Sequence, residues 1–154
     1  MKTASLLLTS ALLAWAGNAF ADELRVNDFT ISLGETKNIS VELTATDKSY
    51  IAFEFYMTLP EGISITLDKD GYPDVTLNSA RSSGHSLEVA KNADGSYHFL
   101  CYSSKNKAFV GTNGEILSMT VKADETAKEG TLQGSVFNLK MYNNLLMDSR
   151  ILRR

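Results

Sequence analysis

The stretch YIAFEFYMTLPEG, residues 50–62, decides the fold. Ile51, Phe53, Phe55, Met57 and Leu59 fall on one side of an extended chain; Ala52, Glu54, Tyr56 and Thr58 fall on the other. A period of two marks a strand rather than a helix. Pro60 has no N–H to give a ladder and Gly62 admits positive φ, so the strand stops there in a turn.

Outward from this stretch the same pattern recurs. In TKNISVELTAT (36–46), Ile39, Val41 and Leu43 alternate with Asn38, Ser40, Glu42 and Thr44. In ILSMTVKA (116–123), Leu117, Met119 and Val121 point inward, and Ser118, Thr120 and Lys122 outward. Turn signals separate the runs: Leu33-Gly34-Glu35, Asp70-Gly71, Asn92-Ala93-Asp94-Gly95, Thr112-Asn113-Gly114 and Lys128-Glu129-Gly130. ADETAKEG (123–130) is the one candidate for a helical turn. Many short alternating strands at close spacing predict an all-β chain, a single antiparallel β-sandwich with two sheets packed face to face.

The first residues, MKTASLLLTSALLAWAGNAFADE, combine Lys2, an apolar run from Ala4 to Ala16 and the small-x-small pattern Ala19-Phe20-Ala21. They read as a secretory signal peptide, residues 1–21, cut before Asp22, with the sandwich domain occupying 22–154. The apolar run is too short to span the ~30 Å of a bilayer's hydrocarbon, and no other segment is apolar enough to cross. The expected location is secreted, periplasmic or on the cell surface. The formal charge of −3 becomes −4 once Lys2 leaves with the leader. A mildly acidic chain without a basic stripe argues against nucleic acid as a partner. Arg150, Arg153 and Arg154 make a small basic end; Leu145 to Arg154 either closes the last strand or trails from it. Cys101 is the sole cysteine, so no internal disulfide forms and stability rests on packing. The sole tryptophan, Trp15, leaves with the leader.

Reactive residue types crowd GSYHFLCYSSKNKAFVGTNGEIL (95–117), where His98, Cys101, Ser103, Ser104 and Lys105 follow closely. On a strand from Tyr97 to Ser103, His98 and Cys101 are three apart and point to opposite faces, so they form no nucleophile–base pair. A four-residue turn at Asn92–Gly95 sets Lys91 opposite Ser96, hence Val89 opposite His98, Ser86 opposite Cys101 and His85 opposite Tyr102. Cys101 then reads as a small buried hydrophobe and His98 as a surface strand residue. Phe109 reads as a plug in the sandwich edge. With two histidines and no ligand spacing, a zinc site is not expected. Asp68, Asp70 and Asp74 raise calcium, but the twelfth position of an EF-type loop starting at Asp68 is Ser79, and the segment reads as an acidic turn. Asn38-Ile39-Ser40 matches a glycosylation sequon within a strand. No cofactor and no catalytic residue are expected; the chain is read as non-enzymatic.

GETKNISVEL, IAFEFYMTLPEGISI, YHFLCYSSKNKAFVGTNGEILSMTVKA and AKEGTLQGSVFNLKM, in that order along the chain, resemble the cohesin-like modules of bacterial secreted and surface proteins. The resemblance implies a nine-strand jelly-roll sandwich, grouped with carbohydrate-binding sandwiches, and a sheet face that holds a dockerin module in a polysaccharide-degrading assembly. Carried over by position, it implies partner binding by Glu54, Tyr56, Tyr102 and Lys105. The aspartate usual after this strand in cohesins is replaced here by the Pro60-Glu61-Gly62 turn.

Two binding functions follow as expectations. One is attachment of a protein partner, dockerin-like or another surface protein, through an aromatic sheet face. The alternative is polysaccharide binding, with tyrosines supplying flat apolar rings in a tryptophan-free mature chain. Three tyrosines on one flat face would favour the alternative. A pair of carboxylates for glycoside hydrolysis is not singled out by any pattern.

Overall fold

The computed structural model describes residues 21–143; the expected leader, apart from its last residue Ala21, and the segment Leu145–Arg154 lie outside them. The described chain is all-β, with strands β1 (Glu23–Val26), β2 (Thr36–Thr44), β3 (Ala52–Thr58), β4 (Ile63–Ile65), β5 (Val75–Leu77), β6 (Ser86–Lys91), β7 (Tyr97–Tyr102), β8 (Glu115–Ala123) and β9 (Ser135–Tyr142). One sheet runs β1-β2-β8-β4, with β5 also on β8; the other runs β6-β7-β3-β9. Every named strand pair is antiparallel. Among the described residues no helix is long and apolar enough to cross a membrane.

The inward positions of both sheets make one core. Phe53, Phe55, Met57, Phe99, Leu117, Met119 and Val121 are fully buried, each side chain contributing about 1.5–3 kcal/mol by leaving water. Phe55 stacks on Phe99 with centroids 4.4 Å apart. Phe109 is indeed a plug: buried, it meets Phe53 at 5.4 Å from the loop after β7. On one side the sandwich is closed, since β1 packs against β9 and Phe29 bridges to Leu132. On the opposite side β6 makes its main strand contacts with β7 alone, among the described strands.

β4 and β5 share the same edge of β8. Ile65 pairs with Val121 and Val75 with Met119, so all of residues 66–74 stand opposite Thr120. The excursion is pinched at its neck: Thr66 N donates to Thr120 O, Thr120 N to Asp74 O, and Asp74 N to Thr66 O, at 2.7–3.0 Å. Within it Asp68 Oδ1 accepts from the amides of Asp70 and Tyr72, which turns that carboxylate onto its own loop. No group of three or more metal-ligating side chains occurs among the described residues.

Two local expectations are corrected. The β6–β7 hairpin sits one residue from the predicted register: Lys91 pairs with Tyr97, Val89 with Phe99, Leu87 with Cys101 and Ser86 with Tyr102. The loop is Ala93-Asp94-Gly95, because Asn92 N donates to Ser96 O, Gly95 N donates to Asn92 O, and Gly95 takes a φ of 88°. That is a three-residue hairpin loop with a left-handed residue at its end. Second, 123–130 holds no helix; Asp124 Oδ1 takes the amide and hydroxyl of Thr126 and forms a capped turn. The last strand, β9, is bulged. Phe137 pairs with Tyr56 but Lys140 with Glu54, and Asn138 takes up the extra residue at a φ of 54°. The bulge keeps Val136, Leu139 and Met141 on the core while Phe137 and Lys140 face out.

Candidate functional site

β3 lies between β7 and β9, so neighbours flank its outer side chains on both sides. The pairing sets up three rows across the outer face. Ala52 lies between Tyr102 and Tyr142, Glu54 between Leu100 and Lys140, and Tyr56 between His98 and Phe137. This flanking makes Ala52 fully buried and leaves Glu54 only 6% exposed. A carboxylate in that position needs partners, since an unpaired buried charge is strongly unfavourable. His98 Nε2 donates to Glu54 Oε1 at 2.7 Å, and the Tyr142 hydroxyl donates to Glu54 Oε2 at 2.9 Å.

Above this carboxylate the third row forms an aromatic stack. Tyr56 lies over His98 with centroids 4.5 Å apart and planes at 21°, and over Phe137 at 5.5 Å and 23°. At those spacings nearly parallel rings are face to face, standing on the sheet and presenting their edges outward. Phe137 is 41% exposed, one of few large apolar side chains so open to solvent.

The other sheet's outer face differs in kind. Asn38 and Ser40 on β2, Ser118, Thr120 and Lys122 on β8, Ser64 on β4 and Thr76 on β5 cover it with hydroxyls, an amide and a charge. The Ser40 hydroxyl donates to the Glu115 carboxylate across the strands.

Of the residues singled out in the sequence, Glu54, Tyr56 and Tyr102 come together on the β6-β7-β3-β9 face. Glu54 is not the surface acid it was expected to be; its carboxylate is enclosed by His98 and Tyr142. Lys105 stands exposed in the turn after β7, off the ladder, its amide on Ser103 Oγ. His98, Phe137, Lys140 and Tyr142 complete the face and were not assigned to it from sequence. The only local hint was Asn138, a residue that tolerates the left-handed backbone of a bulge.

The reactive-looking residues are dispersed. Cys101 faces the core fully buried, and burial pushes its thiol up to about 12, so it stays a protonated hydrophobe. His85 stacks on Phe109 at 4.1 Å, and both its ring nitrogens are buried without a hydrogen-bond partner. Burial lowers its pKa from the ordinary 6.5. The folded state therefore favours neutral imidazole. The contribution is complete above the unfolded value and is lost as pH falls below about 6.5, where the unfolded chain takes up the proton first. Urea midpoints at pH 7.5 and 5.5 should thus drop further for the wild type than for His85→Phe; equal drops would contradict this.

Neither a protein-family model nor a curated protein sequence matches this chain. Solved structures do. A type I cohesin from Clostridium thermocellum, solved in complex with a dockerin, superposes with a TM-score of 0.62 at 13% identity, covering 82% of this chain and 89% of that one. The sixth cohesin of scaffoldin B from Acetivibrio cellulolyticus, also with a dockerin, gives 0.63 at 14%, with the same coverage of 82% and 89%. A non-cellulosomal cohesin from the archaeon Archaeoglobus fulgidus gives 0.54 at 11%, covering 79% and 80%. The fold is cohesin-like, as the sequence resemblance implied.

Proposed function

We propose that this chain is a non-catalytic docking module that holds a protein partner, dockerin-like or another surface protein, on the outer face of β6-β7-β3-β9. The supporting observation is the asymmetry of the two outer faces. One is hydroxyl-rich and charged, whereas the other carries the standing row Phe137–Tyr56–His98 with Leu100 and Tyr102 beside it. Aromatic side chains held rigidly in place are the usual anchors of protein interfaces. Cohesins of the same fold were solved with dockerins bound, which favours a protein partner here. The leader pattern favours a secreted, periplasmic or surface location, and the resemblance favours a setting in polysaccharide breakdown.

Tyr56, Tyr102 and Tyr142 do share one face, the arrangement that would suit a sugar ligand. Yet Tyr142 is 7% exposed, and Tyr56 gives its two ring faces to His98 and Phe137. A sugar platform needs ring faces open to solvent, so we adopt the protein reading.

The test is capture of secreted and envelope proteins on the chain from Asp22 to Arg154, followed by titration of the captured partner. Phe137→Ser and Tyr56→Ala should each weaken binding about tenfold or more, the range of an interface anchor. Thr76→Lys, on the opposite face, should leave it unchanged. Equal binding by all three variants, or retention on polysaccharide alone, would sink the proposal.

A further inference from the structure

The open side of the sandwich carries a second interaction surface, built on backbone rather than rings. In an antiparallel ladder, residues alternate between hydrogen-bonding one neighbour and the other. Asn92 N donates to Ser96 O, so Asn92 and Ser96 are a hydrogen-bonded pair. Stepping back by twos along the observed register, Ala90–His98, Glu88–Leu100 and Ser86–Tyr102 bond in the same way. The N–H and C=O of Leu87, Val89 and Lys91 therefore point away from β7, toward the free edge. No proline and no register shift interrupts this edge, although such devices commonly protect an uncovered strand. Beside it a groove lined by Tyr72, Val75, Leu87 and Val89, with the carboxylates of Asp68 and Glu88 among them, separates β6 from β5.

We propose that β6 pairs with β6 of a second copy of this chain, antiparallel about a two-fold axis through Val89, to form one continuous eight-stranded sheet. A two-fold axis normal to the sheet keeps inner residues opposite inner residues, which limits the registers. Pairing Val89 with Val89 sets Leu87 opposite Lys91 and lets all three outward-facing residues of each copy bond, six hydrogen bonds in all. It also sets Glu88 opposite Ala90, so no like charges meet. The neighbouring register, centred on Glu88, puts glutamate directly against glutamate, which is unfavourable, and pairs only Leu87 with Val89 at the joined edge, four hydrogen bonds instead of six. Charge and the number of hydrogen bonds thus select the same register. The half-buried Leu87 and Val89 of both copies then lie side by side at the joined edge. The aromatic rows of the two copies face the same way, giving one dimer two docking faces.

Sedimentation equilibrium of the chain from Asp22 to Arg154, which contains every described strand, tests this directly. The expected result is a reversible dimer at concentrations in the range of tens of micromolar. Val89→Pro removes an N–H that the β7 ladder does not use, as edge strands tolerate; it should yield a monomer with unchanged far-UV circular dichroism. If that variant fails to fold, the register is read through the position opposite Glu88. Ala90→Glu should weaken the dimer roughly threefold or more, while Ala90→Lys should hold or strengthen it. A wild type monomeric up to about 1 mM, a dimer indifferent to Val89→Pro, or equal effects of Ala90→Glu and Ala90→Lys would each overturn the proposal.

Discussion

Arg81→Met should lower the unfolding free energy by about 3 kcal/mol or more, read as a fall in the urea midpoint with an unchanged slope. Arg81 is only 8% exposed, and its guanidinium spends its donors on backbone. Nε donates to Val110 O at 2.9 Å; Nη1 donates to Leu43 O at 3.0 Å and Gly114 O at 2.6 Å; Nη2 reaches Gly111 O at 3.5 Å. The main chain joins in, with Val110 N donating to Arg81 O at 2.9 Å. One side chain thus fastens the 110–114 loop to the end of β2. Methionine keeps much of the stem's packing and removes every donor, so the loss reports carbonyls left dry. Hydrogen bonds from a charged donor contribute about 1.5–3 kcal/mol each, and several are lost together. Arg81→Lys should recover only part, because an ammonium is a compact point and cannot span carbonyls set around a planar fork. A loss under 1 kcal/mol in the methionine variant would show that the loop is held without Arg81.

Glu54→Lys should cost about 3–5 kcal/mol, the range for breaking a buried pair and leaving a charge without its partner. The ammonium would enter a site built for an anion, in the row that already holds Lys140 and next to a His98 nitrogen that donates. Glu54→Gln keeps the shape and can still accept one of the two bonds, so its cost should stay near 1 kcal/mol. Thermal unfolding of the two variants checks the contrast. The result also bears on docking experiments. Loss of a partner in Glu54→Lys would report collapse of the face beneath Tyr56, and Phe137 and Tyr56 are the positions that probe contact itself. Equal stabilities for the lysine and glutamine variants would mean that the carboxylate is not enclosed as described.

The alternating strands β2, β3 and β8 were legible because their faces differ sharply in polarity, and a period of two survives in a single sequence. Cys101 followed from the same parity. What stayed hidden depends on partners far along the chain. Glu54 looked like an outward acid, as its own strand gives no sign that Tyr142, 88 positions later, will cover it. Arg81 sits in NSARSSGHS, a polar run that reads as surface loop, yet its guanidinium goes inward to Leu43, 38 positions earlier. The hairpin register turned on whether Ser96 faces Lys91 or Asn92, a matter of one left-handed glycine. Phe137 reached the outer face of β6-β7-β3-β9 only through the bulge at Asn138, a break in the very rule that made the other strands readable.

The excursion from Thr66 to Asp74 leaves β8's edge and returns to it against the same residue, Thr120. Because its neck is fastened and its tip, with Leu67 and Tyr72 each about two-thirds exposed, touches no strand ladder, its length is decoupled from the sheet's alignment. Closing a longer loop costs little, about 0.6 kcal/mol for each doubling. The site is therefore a natural port for inserted sequence: an epitope, a tag or a second small domain spliced between Asp68 and Tyr72 would ride on the chain while leaving the outer faces of its two sheets in place.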